Sequence, residues 1–230
     1  MENLLLRYFS DRIKDNDPVL DEPGPVITIS REYGCPAKLI AQKLLDEINR
    51  IESLKGHKRK WKIVSKEILE ESAKALEMNK SDIEYFFNYE TPSTIDEILS
   101  SFSTRFYKSD RHVRKTIKEV IRSIAAEGKV IIVGRSGFCI TRDIPRSFHI
   151  RLVAPLKWRM EKVSGKYNLS AERAQKEILE MDHKRKYFIN SIAGRKIEDS
   201  EYDLTINTST LEVDEIVGIL LKVVELKHFT

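Results

Sequence analysis

The segment Arg31-Glu32-Tyr33-Gly34-Cys35-Pro36-Ala37-Lys38 stands between a short β-branched run and a helical pattern. A turn in that position presents backbone N–H groups and the positive end of a helix dipole, which together suit a phosphate group. The spacing departs from G-x-x-x-x-G-K-[ST], because Arg31 and Pro36 occupy the two glycine positions and Ala37 the lysine position. Pro36 removes an N–H donor, and Lys38 projects about 100° further round the helix than the missing lysine would. An ordinary strand-to-helix turn is the competing reading. A second candidate is Gly134-Arg135-Ser136-Gly137, where an arginine fork can grip phosphate bidentately between glycines that let backbone approach; its alternative is an arginine paired with an acid on a surface loop. The third is Asp182-His183-Lys184-Arg185-Lys186, three consecutive cations able to neutralise charge spreading over phosphoryl oxygens, or else to pair with a helix C-terminus and solvent. The five histidines, at 57, 112, 149, 183 and 228, show no ligand spacing with Cys35 or Cys139, so no metal site is expected. Cys35 at a helix start is placed for a lowered thiol pKa, but no partnering base accompanies it.

The elements that must position these residues alternate in type. Val26-Ile27-Thr28-Ile29 reads as a strand and is followed by Leu39, Ile40, Leu44, Leu45 and Ile48 at helical spacing. Trp61-Lys62-Ile63-Val64 is a second, weaker strand, with Ser65 able to cap the helix that carries Ile68 and Leu69. Ser81-Asp82-Ile83-Glu84 and Thr94-Ile95-Asp96-Glu97 have the capping-box pattern of two short helices. Val113, Ile117, Val120, Ile121, Ile124 and Ala125 draw one apolar stripe along a longer helix that ends at Gly128. Positions 130–133 are all apolar, as in a central strand buried on both faces. Residues 148–153 form a fourth strand, and Pro155 suits the first turn of the helix carrying Trp158 and Met160. Ser170 caps a long polar helix to about Asn190; 203–207 is a fifth strand, and Ser209-Thr210-Leu211-Glu212 opens a last helix. Strands alternating with helices predict an α/β fold with a mainly parallel sheet covered on both faces, whose ligands bind at the carboxyl ends of the strands.

Composition bounds the rest. The 230 residues are 41% hydrophobic and 33% charged, values of a chain that builds a core. Apolar runs are a few residues long where a membrane helix needs about 20, so no membrane association is expected. Residues 1–24 end in turn formers and read as an N-terminal extension without a signal-peptide cleavage site, leaving 25–230 as one domain. Two cysteines read as reduced thiols, which predicts a cytoplasmic setting. The net charge of +4 is mild, but Lys55, Lys58, Arg59, Lys60 and Lys62 cluster, and a second basic group spans 105–118. These are read first as solvated surface and last as a nucleic-acid footprint.

The same stretches, in order over about 25–226, resemble the cytidylate kinase-like family of nucleoside monophosphate kinases. Ile27-Thr28-Ile29-Ser30-Arg31-Glu32-Tyr33-Gly34 is similar to the family's opening strand and phosphate turn, and Val130-Ile131-Ile132-Val133-Gly134-Arg135 to its central strand. Ala154-Pro155-Leu156 with Arg159 is similar to the next strand-helix junction, Asp182-x-Lys184-Arg185 to the lid, and Tyr202-Asp203-Leu204 through Ile206-Asn207-Thr208-Ser209 to the last strand. The resemblance implies a P-loop NTPase-type three-layer sandwich, with five mainly parallel strands, helices on both faces and a helical lid and insertion. It implies ATP with Mg2+ as phosphoryl donor and a CMP-like monophosphate as acceptor. Carried over residue by residue, Ser30, Arg31, Gly34, Cys35, Ala37 and Lys38 would face the donor phosphates, Arg135 with Ser136 the acceptor, and Arg159 the donor side. Asp182, Lys184 and Arg185 would form the lid, and Lys184, Arg185 and Lys38 would act on the transferring group. Cys35-Pro36-Ala37 stands where the family has Ser-Gly-Gly, Ser65 where it tends to have an aspartate, Ser136 where cytidylate kinases have an acid, and Ile197 in place of a tryptophan. A nucleotide-binding protein without transfer is the alternative, ahead of a nucleic-acid-associated protein. Leu4, Leu5, Leu6, Tyr8 and Phe9 offer a surface for the body or for a homodimer partner.

Overall fold

The computed structural model describes residues 24–75 and 110–230. The two capping boxes near Ser81 and Thr94, and the apolar residues of the N-terminal extension, lie outside the described residues. Along the chain run β1 (Val26–Arg31), α1 (Ala37–Leu54), β2 (Lys62–Val64), α2 (Lys66–Ala75), α3 (Asp110–Ala126), β3 (Val130–Val133) and α4 (Gly137–Thr141). Then come β4 (Ser147–Val153), α5 (Leu156–Tyr167), α6 (Ala171–Ala193), a 3₁₀ turn (Asp199–Glu201), β5 (Leu204–Asn207) and α7 (Val213–Leu226).

The strands form one sheet in the order β2-β3-β1-β4-β5, and all four neighbouring pairs are parallel. This is the α/β sandwich of the P-loop NTPase type. Because β3 and β4 flank β1 on opposite sides, the crevice above the carboxyl end of β1 is where such a sheet accepts a ligand. The pleat divides the strand residues between two cores. Ile27, Ile29, Ile131, Val133, Ile150 and Leu152 face α1 and α7, meeting Ile40, Leu44, Ile48, Ile216 and Leu220. Val26, Val130, Ile132 and Val64 face α3, α4 and α6, meeting Ile117, Ile121, Ile140 and Phe188. Each buried aliphatic contributes roughly 1.5–3 kcal/mol through removal of apolar area from water.

Several local features depart from the expectations. β1 runs two residues further, to Arg31, and Gly137 begins a short helix rather than continuing a loop. The last helix is not opened by Ser209. Its capping box is formed by Glu212 and Glu215, while the Ser209 backbone N–H and hydroxyl both reach Asn207 Oδ1 at 3.0 and 2.7 Å. Ser170 does cap α6, accepting from the Arg173 N–H, and that helix continues three residues beyond Asn190 to a left-handed Gly194. The basic stretch at 55–62 lies at the amino end of the sheet, away from the crevice. There Arg59 donates to the Glu127 carbonyl, Lys62 pairs with Glu127 at 2.6 Å, and the neighbouring Lys129 pairs with the buried Glu52.

One polar pair interrupts the α6 face of the sheet. Thr28 and His149 are opposite one another in the β1–β4 register, with Thr28 Oγ1 2.8 Å from His149 Nδ1. Phe138 packs edge-on against the imidazole. Burial, with smaller contributions from Lys227 and Arg142 and against the pull of Asp203, lowers His149 to about 4. The folded protein therefore resists protonation there while the unfolded chain takes a proton near pH 6.5, so stability falls with pH from about 6.5 to about 4. We expect urea unfolding of the wild type to lose up to about 3 kcal/mol across that window, and His149→Gln to flatten the profile there. Ile131→Ala, fully buried on β3, an interior strand beside the central β1, is expected to cost about 2–5 kcal/mol by the same measurement.

Candidate functional site

At the carboxyl ends of β1, β3 and β4 a cavity of about 510 Å3 opens between the sheet and the C-terminal half of α6, a volume in the range of small-ligand pockets. Its charged lining consists of Arg31, Arg135, Arg151, Lys184, Arg185 and Lys186 against Glu32, Asp182, Glu198 and Asp199. Ser30, Gly134, Ser136, His183 and Tyr202 complete its polar part. The sheet register explains the convergence: Ser30 is paired with Arg151 on β4, and the Gly134 N–H donates to the Ile29 carbonyl, extending β3 past Val133 beside β1.

Arg31 is the most constrained of these cations. Burial first, then the like charges of Arg185, Arg135 and Arg151, push its guanidinium down to about 9. Arg185 is likewise lowered, chiefly by burial, with Asp182 and Tyr33 opposing the shift. Its guanidinium lies 5.2 Å over the Tyr33 ring. The Arg31 guanidinium sits against Gly134: a Cβ there would come within 1.9 Å of Arg31 Nη1. Gly134 therefore serves the close approach, and it begins a run of three left-handed residues, with φ of 75°, 54° and 55° at Gly134, Arg135 and Ser136. Two of them carry side chains, a strain of order 1–3 kcal/mol each that is characteristic of functional loops.

The β1–α1 turn has a different construction from a phosphate cradle. The Tyr33 N–H donates to Asp182 Oδ1 at 2.7 Å, and the other oxygen of Asp182 accepts from Arg159 Nη1 at 2.6 Å. Arg159, only 6% exposed, also donates to the Ala154 carbonyl at 2.9 Å and the Tyr33 carbonyl at 3.1 Å. Its Nε lies 3.4 Å from Glu32 Oε2, which in turn accepts from the Ala154 N–H. Within the turn, Cys35 N–H reaches the Glu32 carbonyl and Ala37 N–H the Cys35 carbonyl. Tyr33 Oη is hydrogen-bonded to Glu177, so the turn is tied to α6 at two levels.

Of the residues singled out from the sequence, the structure brings together Ser30, Arg31, Arg135, Ser136, Asp182, Lys184 and Arg185 in the lining. The remaining five stand outside it. Gly34, at φ 97°, packs on Arg159; Arg159 is the buried clasp just described. Ala37 is 3% exposed in the α1 core, and Lys38 is exposed on the helix surface. Cys35 packs beside the same core. Burial pushes its thiol up despite a hydrogen bond with Thr208, the reverse of the shift expected at a helix start. Arg151 is the functional-site residue that sequence reasoning missed. Its signal was a pair of polar side chains, His149 and Arg151, alternating with apolar ones in a central strand. Asp199, which pairs with Arg151 Nε at 3.2 Å, comes from the loop after α6 and carried no comparable signal. Among the described residues no group of three or more His, Cys, Asp or Glu is arranged to hold a metal ion.

Comparison with known proteins agrees with this architecture. The profile of the cytidylate kinase-like family matches residues 26–210. A cytidylate kinase from Methanocaldococcus jannaschii is 26% identical over 130 residues, 55% of this chain and 72% of that protein. A uronate isomerase from Corynebacterium glutamicum is 26% identical over 140 residues, 59% of this chain, which spans only 26% of its length. In three dimensions, an uncharacterized protein from Eubacterium ventriosum superposes with a TM-score of 0.61 at 22% identity, over 87% of this chain and 97% of that one, and so shares the fold. With the matched segment running from the first residue of β1 to beyond β5, the chain belongs to the cytidylate kinase-like family.

Proposed function

We propose that the protein is a nucleotide kinase, transferring the γ-phosphoryl group of ATP to a nucleoside monophosphate with CMP or a close relative as acceptor. The observation that carries this reading is the gathering of Arg31, Arg135, Arg151 and Arg185 with Lys184 and Lys186 around one cavity at the strands' carboxyl ends. Such a group of like charges, partly buried, lowers its own energy only when an anion of high charge density enters. Arg135 would orient the acceptor phosphate. Lys184 and Arg185, carried on α6, would neutralise charge developing on the transferring group, and in-line displacement needs no covalent intermediate. Lys184 lines the cavity while its ammonium pairs with Glu180 one helical turn away, outside the lining, so an entering anion would have to draw it from that partner.

Magnesium accompanies ATP in this chemistry and would supply charge neutralisation at the phosphoryl oxygens. Glu32 and Asp182 line the cavity and have the oxygen donors that a phosphate-bound magnesium takes. Asp182 is engaged through both oxygens, by the Tyr33 N–H and by Arg159, and Glu32 through Oε2, by the Ala154 N–H and Arg159 Nε, so the orientation of both is fixed and a magnesium would share their oxygens with these contacts. A coupled ADP-release assay over the common nucleoside monophosphates is expected to show turnover, highest with CMP or a near relative. Silence with every acceptor at millimolar concentration would remove the kinase reading. In the active protein, Arg185→Met should lower kcat by about 10²–10³-fold with a melting temperature changed by a few degrees at most.

A second reading, nucleotide binding without transfer, is favoured by one specific feature. The turn that would grip a donor phosphate has its Tyr33 N–H bonded to Asp182, proline at 36 and a buried alanine at the lysine position. On this reading ATP at about 100 times its Kd should stabilise the fold by about 2.7 kcal/mol, a rise of roughly 5–10 °C for a domain this size, with no ADP formed. A melting curve indifferent to every nucleotide would dismiss it.

A further inference from the structure

Between Ile178 and Phe188, α6 has no buried side chain: its buried residues are Ala174, Ile178, Phe188 and Ile192. That interval is nearly three helical turns, about 15 Å, and it carries the cations that the helix gives to the cavity, Lys184, Arg185 and Lys186. Apolar packing therefore anchors the helix on either side and leaves its functional middle to polar contacts. Several of these converge on one residue of the β1–α1 turn. Tyr33 donates its backbone N–H to Asp182 at 2.7 Å and its hydroxyl to Glu177, and its ring centre is 5.2 Å from the Arg185 guanidinium. Burial first, then Glu177 and Tyr167, raises the phenol above its ordinary value, so it remains a proton donor at neutral pH. Tyr33 also packs against the cluster of Val163, Ala174 and Ile178, where α5 meets α6, and its carbonyl accepts from Arg159. Glu177, Asp182 and Arg185 are spread over about 12 Å of helix and about 140° of its arc. One contact would leave a helix free to pivot; three so placed fix its height, tilt and rotation together.

We infer that Tyr33 is a positioning residue that acts through α6: its ring and hydroxyl hold the middle of the helix so that Arg185 is presented to the cavity. The inference rests on the proposed function in giving Arg185 a transferring group to act on, while the tie between Tyr33 and the helix does not depend on the reaction. Tyr33 is absent from the cavity lining, so its effect on a ligand there has to pass through the helix. Arg185 Nη1 lies 3.4 Å from the Arg31 carbonyl, which is a long hydrogen bond and a weak restraint by itself. Arg31 and Arg151 are like charges beside it. The ring supplies the attraction that keeps the guanidinium among them, and such attraction is stronger where water is excluded. Phenylalanine at position 33 would keep the ring and lose the hydroxyl. Leucine would lose both and keep apolar bulk against α5, and each retains the backbone N–H to Asp182.

The test joins steady-state kinetics to hydrogen exchange of the full chain without ligand. With ATP and CMP, Tyr33→Leu is expected to lower kcat about 30- to 100-fold and Tyr33→Phe about three- to tenfold, with both KM values within about threefold of wild type. Added to Arg185→Met, Tyr33→Leu should lower kcat by less than about twofold more, because both changes remove one shared contribution. Without nucleotide, Tyr33→Leu should speed exchange at 179–187 about tenfold or more and leave β3 within about twofold of wild type. Should Tyr33→Leu fail to fold, Tyr33→Phe and Glu177→Ala break the hydroxyl contact from its two sides and are expected to speed exchange at 179–187 to a similar degree; no change in either would overturn the tie. Losses that multiply in the double variant, a KM about tenfold higher with kcat unchanged, or exchange at 179–187 within about twofold of wild type in Tyr33→Leu would each overturn the positioning role. If no monophosphate yields ADP with the wild type yet exchange at 179–187 still depends on Tyr33, the transfer reading fails and the tie stands.

Discussion

The Arg159 guanidinium is the interaction on which the upper half of the molecule depends. It is nearly buried, and it joins the carbonyls of Ala154 and Tyr33 and the carboxylates of Glu32 and Asp182 into one clasp. Three pieces of chain meet there: the β1–α1 turn, the β4–α5 junction and the middle of α6. A charge so buried would be a liability with one partner, since desolvation exceeds what a single ion pair returns. With two carboxylates and two carbonyls around its Nε and Nη1 the charge is compensated more than once, so the cost of its burial is spread over several contacts. The pocket inherits this rigidity. Because Asp182 is fixed by Arg159 and the Tyr33 N–H, the next turn of α6 has one rotational setting, and Lys184, Arg185 and Lys186 arrive at the cavity in a defined order.

Against that anchor stands the opposite arrangement, a set of cations that repel one another. Arg31 is depressed by burial and by three arginines, and the loop that supports it runs through three left-handed residues. Strain and repulsion at one place are destabilising, and the hydrophobic layers on both sides of the sheet offset them. Ile27, Ile29, Ile131 and Ile150 beneath the crevice are fully buried. They give the strands enough stability to hold an unfavourable charge arrangement open at their ends. Stability and binding are therefore segregated along the strand axis, with apolar alternation below and cationic termini above.

Much of this was legible from residue order. The four apolar residues at 130–133 gave β3 to the residue, because a strand buried on both faces has no polar alternation to blur its ends. The stripe from Val113 to Ala125 gave the face of α3 that meets the sheet. The site was half legible. Gly134-Arg135-Ser136 and Asp182-x-Lys184-Arg185 announce themselves as local clusters of donors and do line the cavity. Arg151 does not, since a single cation in a strand acquires meaning only from its register with Ser30 across a pairing of distant segments. The fate of the turn was hidden for the same reason: the carboxylate that takes the Tyr33 N–H is 149 residues away. Ser209 misled because a local capping pattern lost to Glu212 and Glu215, which cap the helix start three residues later.

The relation between Asp182 and the turn bears on how a chain of this family can lose the glycines of a phosphate loop and keep its shape. A glycine-rich turn is held open by the anion it binds, through N–H groups that point inward together. Here an internal carboxylate supplies one such anionic contact and Arg159 neutralises it. The turn no longer needs glycine freedom at positions 36 and 37, where proline and a core-facing alanine stand. The single glycine that remains, Gly34, is retained by packing: its φ is 97°, and a Cβ there would meet the Arg159 side chain at 3.1 Å. On the proposed function, polyphosphate recognition would fall to side chains instead of backbone, and the arginines on the neighbouring strand ends are the side chains placed for it. The internally tied turn and the arginine-rich floor then belong together: the β1–α1 turn is closed by Asp182 and Arg159, while the cations line the cavity bordered by β1, β3 and β4.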